Sequence, residues 1–362
     1  MTDRIIEVRH GDRVEVEFID RSKPRIRGSL RRTTVNDETR VVFTWPPEPE
    51  PEPTGTVWIS RAELDSLPKN AAYDRIKRIA DGSQPSLTFS DYSEDHSRWV
   101  MANALVGQAD RAIAGLTKAV STSYGQASFK EVTRNLPEYI ISAAILDYRE
   151  QRFLDWLRRL FAYTFGDSDP GTIAFRNEND PGNSGACAGA SITSAGLYLE
   201  DQSLIDSAIK GIRMFCGETP GQFIIRSGRD IWYAAYPDTS KYTPINPPGS
   251  KREGYDVSGF IPVEMERNNP SFRWPPSFTT YVRLDLGSRV IQAELLRKAG
   301  VFDAFGLGDN ALLRACQAEI RLGWDGPTYF HRRILERRHN VDLGSTNPVS
   351  GRCATGLDWT HP

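Results

Sequence analysis

Residues 176–200 read RNENDPGNSGACAGASITSAGLYLE. The first half is polar, small and turn-forming, through Asn177, Asn179, Asp180, Pro181, Gly182 and Asn183. The second half becomes a helix of small residues in which Ala188, Ala190, Ile192, Ala195, Leu197 and Leu199 supply the apolar contacts. A polar turn feeding a tightly packed helix inside a large domain is a common way to present side chains to a cavity. An ordinary loop and helix start is the plainer reading.

Helical patterning extends on both sides of this stretch. After it, a helix is expected over about 202–215, then others at about 278–299, 309–322 and 326–338. Before it, Phe153, Trp156, Leu157, Leu160 and Phe161 mark the apolar face of a helix over 149–165. Ser128 and Glu131 form a capping box opening a helix that runs through Ile145 and accommodates Pro137. A single helix is expected over about 94–120. A second capping box, Ser60 with Glu63, opens the stripe Leu64, Leu67, Tyr73, Ile76 and Ile79, which Gly82 stops. Bundles, α-solenoids and α/α toroids all fit such a succession of helices.

Two stretches break the pattern. Residues 218–275 are rich in Gly, Pro and Tyr, and a long irregular segment inside a compact domain is usually functional or disordered. Trp232, Tyr233, Tyr236, Tyr242 and Tyr255 argue for order, since disordered segments are poor in aromatics. Residues 46–55, PPEPEPEPTG, forbid a helix and favour an extended, charged spacer. On its N-terminal side, residues 1–45 read as a small β-rich module, with alternating strands at Ile5–Val8 and Arg13–Ile19 and a β-branched run at Arg40–Trp45. Its basic residues, Arg21 to Arg32, form either a solvated face or a docking surface. The expected division is therefore an attachment module at 1–45, a linker at 46–55 and a helical domain at 56–362.

The chain has 362 residues, 39% hydrophobic and 25% charged, enough to bury a sizeable core. A net charge of −2 argues against nucleic-acid binding through bulk positive charge. Of its 45 basic residues 36 are arginine, the better fork for carboxylates, although a GC-rich genome gives the same skew. Cys187, Cys216, Cys316 and Cys353 lack metal-ligand spacing and read as buried thiols. No run approaches a membrane span and the N-terminus lacks an apolar leader core, so cytoplasmic synthesis with no membrane partner is expected.

Four segments, in order, resemble the alginate lyase superfamily of bacterial and phage proteins. They are WISRAELDSLP at 58–68, DPGNSGACAGASITSAGLYLED at 180–201, Phe272–Pro276 before a helix ending QAELLRKAG, and Gly356–His361. The resemblance covers residues 56–362. It implies a mainly α fold, an α/α toroid (an incomplete barrel of helical hairpins), here preceded by the small β-rich module. It also implies a polysaccharide lyase that cleaves a uronate-containing polymer of capsule, exopolysaccharide, alginate or glucuronan type by β-elimination, with no cofactor and no metal. A virion-borne depolymerase acting at the cell surface, docked to a tail through residues 1–45, would suit the spacer and module.

Under that resemblance Asn183 neutralises the substrate carboxylate, lowering the barrier to removal of the neighbouring proton. Such lyases often follow this Asn with His; here Ser184 stands there and the loop has no His. His96 is then the His expected at the cavity, and Tyr236 or Tyr233 the proton-transferring phenol, with Tyr281 next. Arg134, Asn135, Arg226, Arg229, Trp232 and Trp359 are expected to bind the sugar chain. His331 and His339 read as part of a solvated basic helix, and His361 as a residue that could fold back to the cavity. Two other readings stay open. One is a non-catalytic carbohydrate-binding or virion structural protein. The other is a glycoside hydrolase, for which Glu178, Asp180, Asp230, Glu253 and Asp256 offer carboxylates.

Overall fold

A computed structural model describes residues 57–87, 95–121, 128–166, 170–225, 231–236, 238–269, 271–324, 330–344 and 355–361, and the strand backbone of 4–10, 13–19, 26–35 and 38–44. The chain divides into two compact units, residues 1–52 and 53–362. In the first, strands β1 (Arg4–His10), β2 (Arg13–Ile19), β3 (Ile26–Val35) and β4 (Glu38–Thr44) pair antiparallel in chain order. The expected linker at 46–55 and Cys353 lie outside the described residues.

The second unit is mainly helical. Its elements are α1 (Arg61–Ser66), α2 (Ala71–Asp81), α3 (Asp95–Leu105), α4 (Ala109–Val120), α5 (Phe129–Ile145), α6 (Gln151–Ala162) and α7 (Ile173–Asn179). After these come α8 (Asn183–Leu199), α9 (Gln202–Phe215), α10 (Pro262–Met265), α11 (Thr280–Lys298), α12 (Leu307–Arg321), α13 (Phe330–His339) and α14 (Leu357–Thr360). A short hairpin, β5 (Lys251–Arg252) with β6 (Tyr255–Asp256), interrupts the irregular stretch. Among the described residues no helix is long and apolar enough to cross a membrane.

Both capping boxes form: Ser60 and Ser128 accept from the Glu63 and Glu131 amides, and each Glu side chain reaches back to the cap amide. The stripe expected from Ser60 to Gly82 is two helices, the second capped by Asn70, and the helix expected over 94–120 is two as well. Gly107, at φ +82°, turns the chain out of α3 before α4 begins, and Arg61 donates to the Ala104 and Leu105 carbonyls left open at that end. The polar turn expected at 176–182 is also partly helical. Thr172 caps α7, which carries Arg176 and Asn177 into the core before Asp180 ends it.

Helix α8 is buried on almost every side, its Leu197 and Leu199 alone being half-buried. Small residues let neighbouring chain come close. A Cβ on Gly185 would overlap the Asp180 carbonyl oxygen, and one on Gly189 would overlap the Gln292 side chain. On the α5 side, Pro137 has no N–H to give to the Thr133 carbonyl one turn back. Ser191 of α8 donates to that carbonyl instead, at 2.8 Å, so the helix defect becomes an interhelical bond.

The other side of the helical core is tied by one buried guanidinium. Arg289 of α11 donates to Asn177 Oδ1 of α7 at 3.1 Å and to Gln292 Oε1 at 3.0 Å, and lies 4.5 Å from the Phe215 ring of α9. Asn177 Nδ2 donates to the Ser207 carbonyl, and Gln292 Nε2 to that of Ala208, both on α9. Cys187, Cys216 and Cys316 are buried as expected, and burial pushes the Cys216 thiol up to about 12.

The described residues of the irregular stretch are organised around Asn246, which is fully buried. Its side chain accepts from the Ala235 amide and donates to the Tyr233 and Val257 carbonyls at 2.7 and 2.9 Å. A segment with few helical bonds thereby satisfies its buried backbone.

The solvated basic helix expected near residue 331 is corrected. His331 and Arg332 are 1% and 4% exposed, and His331 Nε2 lies 3.5 Å from the buried Glu319 of α12. The many charges of α13 hid a face that the surrounding helices cover.

The close approach at Gly185 predicts that Gly185→Ala lowers unfolding free energy by about 3 kcal/mol or more, because backbone cannot move aside as a flexible side chain can. Gly166→Ala, where a methyl group would meet nothing within 4 Å, is expected to leave stability nearly unchanged. Urea denaturation of the two variants checks both.

Candidate functional site

The site is built where α7 ends and α8 begins. Asp180 closes α7 and accepts from the Gly182 amide at 2.8 Å, an Asx turn that reverses the chain at Pro181. Asn183 follows as the first residue of α8 and is 3% exposed. Its backbone N–H and its side-chain Nδ2 both donate to Glu264 Oε1 of α10, at 2.6 and 2.7 Å. Arg134 of α5 approaches Asn183 Oδ1 at 3.4 Å. The amide is thus oriented from both ends.

Glu264 is fully buried, and its second oxygen accepts from Arg267 Nε at 3.2 Å. Burial works against the Arg267 charge, but the Glu264 carboxylate outweighs it and holds the guanidinium pKa up. Arg267 also lies 4.8 Å from the Tyr281 ring. Arg176 pairs with Asp180 and lies over the Phe129 ring.

An open concavity here is lined by Arg176, Asp180, Asn183, Ser184, Glu266 and Arg267, with Ile224 and Val263 as its apolar wall. Two guanidiniums and an oriented amide offer donors there to a ligand carrying a carboxylate, although Asp180 and Glu266 line the same wall and offset the positive charge.

Behind it sits Asp285 of α11, fully buried, with neither carboxylate oxygen hydrogen-bonded among the described residues. Burial and then the neighbouring Glu264 charge push its carboxyl well above the ordinary range, against the pull of Arg289. The Asp285 carboxyl is thereby shifted towards its neutral form, while Glu264 accepts from three N–H groups.

The structure brings Asn183 and Arg134 together; Tyr281 is 38% exposed, with its ring 4.8 Å from the Arg267 guanidinium, and is not itself among the pocket residues. It does not bring His96. That ring is fully buried, with Nδ1 2.7 Å from the Tyr139 hydroxyl and Nε2 3.2 Å from Gln84. Tyr139 follows Arg134 by five positions on α5, which puts the two side chains about 140° apart around the helix. Asn135 turns the same way as His96's neighbour, accepting from Ser97 at 2.8 Å.

The other sequence candidates are scattered. Tyr233 is buried, and its hydroxyl is held by the Arg273 carbonyl and amide at 3.1 and 3.3 Å, so it braces the loop. Tyr236 is 46% exposed and is not among the pocket residues. Trp232 packs half-buried against the core. Trp359 is 2% exposed and donates to the Pro68 carbonyl, a core contact with no sugar-facing surface. His361 is buried with Nε2 3.5 Å from Glu294 and its ring 4.6 Å from that of Trp58. Arg226, Arg229 and Asp230 lie outside the described residues. Glu178 is taken up by Lys210 and Ser207.

Sequence reasoning missed Glu264, Arg267, Arg176 and Asp285. A signal existed for the last: Asp285, Arg289 and Gln292 recur at helical spacing in α11, a polar stripe in a helix otherwise filled with core residues. Glu264 and Arg267 gave none, because only the fold carries their short turn against α8.

Comparison of the chain with protein-family models, with curated proteins and with solved structures returns no match.

Burial lowers the His96 pKa from 6.5 to about 4, with Lys118 adding to the effect, so the folded state binds its proton less readily than the unfolded chain. The stability involved is fully present above the unfolded value and is lost as pH falls towards the folded one. Between pH 7 and 5 the stability advantage of the native chain over His96→Gln is expected to shrink by about 2 kcal/mol. Urea denaturation of both proteins at the two pH values measures it; an unchanged difference would show that His96 is not a buried neutral imidazole.

Proposed function

We propose that the chain is a polysaccharide lyase that cleaves a uronate-containing polymer by β-elimination, on an α/α toroid formed by its helical unit. The observation that carries this reading is the pocket in which Asn183, fixed by Glu264 and Arg134, faces the same space as Arg176 and Arg267. Residues 1–45 act in it as an attachment module, held by the Pro/Glu spacer to a larger assembly such as a virion tail.

In this reading the uronate carboxylate enters between Arg267, Arg176 and the Asn183 amide. Removal of the C5 proton sends charge into that carboxylate, and these donors stabilise it where it develops. The electron pair forms the C4–C5 double bond, the C4–oxygen bond breaks, and the departing oxygen takes up a proton. Tyr281, its ring against Arg267, is assigned the proton transfer from carbon to the leaving oxygen. Tyr233 is unsuited, since its hydroxyl is already bonded to Arg273. His96 keeps a structural role with Tyr139.

A hydrolase is the second reading, favoured by one observation: Glu264 and Asp285 are neighbouring buried carboxyls, and burial followed by the Glu264 charge raises the Asp285 carboxyl well above the ordinary range. The products separate the two. A lyase generates ultraviolet absorbance from the unsaturated uronate and takes no oxygen from water. A hydrolase gives reducing ends without that absorbance and incorporates heavy oxygen from labelled water.

Incubation with glucuronan, alginate and bacterial capsule is expected to produce the unsaturated uronate. Asn183→Ala and Tyr281→Phe should each lower kcat roughly 100-fold or more while the folded circular dichroism spectrum is kept. Full activity in Asn183→Ala would remove that residue from the mechanism.

A further inference from the structure

Outside the pocket, the irregular stretch builds a feature that the proposed chemistry does not use. Phe260, Trp274 and Tyr255 stack in sequence. Phe260 is fully buried, Trp274 lies parallel to it at 5.9 Å with planes 5° apart, and Tyr255 lies on Trp274 at 4.8 Å with planes 11° apart. Tyr255 is the outer plate and is 43% exposed.

Its position is fixed by the backbone. Tyr255 stands on the β5–β6 hairpin opposite Arg252. The two turn residues, Glu253 at φ 49° and Gly254 at φ 86°, have the left-handed dihedrals that a tight two-residue hairpin turn requires. The ring is therefore held in place before any ligand arrives, so little side-chain freedom is lost on binding.

The surroundings carry more positive than negative charge. Lys251 and Arg252 share the hairpin with Glu253 and Asp256, Arg273 precedes Trp274, and Arg321 lies 3.7 Å from Asp256. Four cations thus stand against two carboxylates, with Lys251 and Arg273 exposed.

We infer that Tyr255, backed by Trp274, is a binding platform for a sugar ring of an anionic polysaccharide, separate from the pocket at Asn183. The inference rests on the polysaccharide reading of that pocket. The C–H face of a pyranose ring packs on an aromatic plane, and the cations beside it select a chain bearing carboxylates.

The probes are glucuronan, a neutral β-glucan and a short uronate oligosaccharide that fills only the pocket, with binding measured by affinity electrophoresis and calorimetry. Tyr255→Ala should weaken glucuronan binding roughly 5- to 10-fold and Tyr255→Phe should not, because the ring plane is what binds. Lys251→Glu with Arg273→Glu should weaken it as well, and turnover of the short oligosaccharide should be unchanged in all three proteins. Undiminished glucuronan binding by Tyr255→Ala, with turnover intact, overturns the platform and leaves the lyase reading standing. Equal affinity of the native chain for the neutral glucan overturns the anionic preference. Failure of the native chain to bind or cleave any uronate polymer overturns the reading on which the platform rests.

Discussion

Helix α8 has to lie inside the protein with other chain segments against almost all of its surface, and the rest of the helical unit is arranged around that requirement. An interior helix can be approached closely only where its side chains are small, and each approaching segment brings polar backbone that must be satisfied. The Gly185 contact lets the end of α7 cross the start of α8, and Gly189 admits the Arg289–Gln292 pair of α11. Ser191 resolves the carbonyl that Pro137 leaves open in α5. These contacts also set the site. The turn that brings α7 against α8 is the turn that ends in Asn183, so the position of the amide follows from packing that extends well beyond the pocket.

Helix starts and stops were legible because their chemistry is local. Ser60 with Glu63 and Ser128 with Glu131 each need only one turn of chain, and Gly82 ends α2 where the sequence places it. The break at Gly107 was hidden by apolar residues that continue the helical pattern into α4. Helix α7 was hidden for the opposite reason: its Asn and Asp residues prefer caps and turns, and tertiary bonds from Arg289 and the Ser207 carbonyl hold Asn177 in place. At the site, Asn183 could be read from its position before a small-residue helix. Its orienting partner Glu264 is 81 positions away, and no pattern in the chain links the two. The histidines misled because their local surroundings are charged. His96, His331 and His361 are each covered by helices that only the fold brings together.

Buried charge is handled differently in different parts of the unit. Glu294 is fully buried, yet His361 and Arg338 outweigh its burial and hold its carboxyl down at about 2. That pairing fixes the closing segment, as do the bonds from Thr355 to Glu138 and from Arg75 to Asp358. The three anchors reach α11, α5 and α2, so residues 355–361 tie together helices far apart in sequence. Removing one partner from such a pair leaves a buried charge uncompensated, which costs more than the pair itself contributes. Asp285 has no such hydrogen-bonded partner among the described residues, and burial shifts its carboxyl towards the neutral form, which lessens the same penalty.

The placement of Glu264 bears on which groups remain for a ligand. A helix N-terminus attracts anions because its first amides lack intrahelical acceptors. At α8 that attraction is answered internally, by the Glu264 oxygen that accepts both the backbone and side-chain N–H of Asn183. An incoming carboxylate therefore does not find an open helix end. In the proposed reading it meets the second hydrogen of the Asn183 amide and the guanidiniums of Arg176 and Arg267, which Asp180 and Glu264 already engage. Each cation in the wall is paired with a protein carboxylate and Glu266 adds a further carboxylate, so no net positive charge draws anions from a distance and recognition falls to short, directional bonds. In that reading the site holds a carboxylate only when the sugar bearing it fits the pocket, because no uncompensated positive field remains to capture anions that do not.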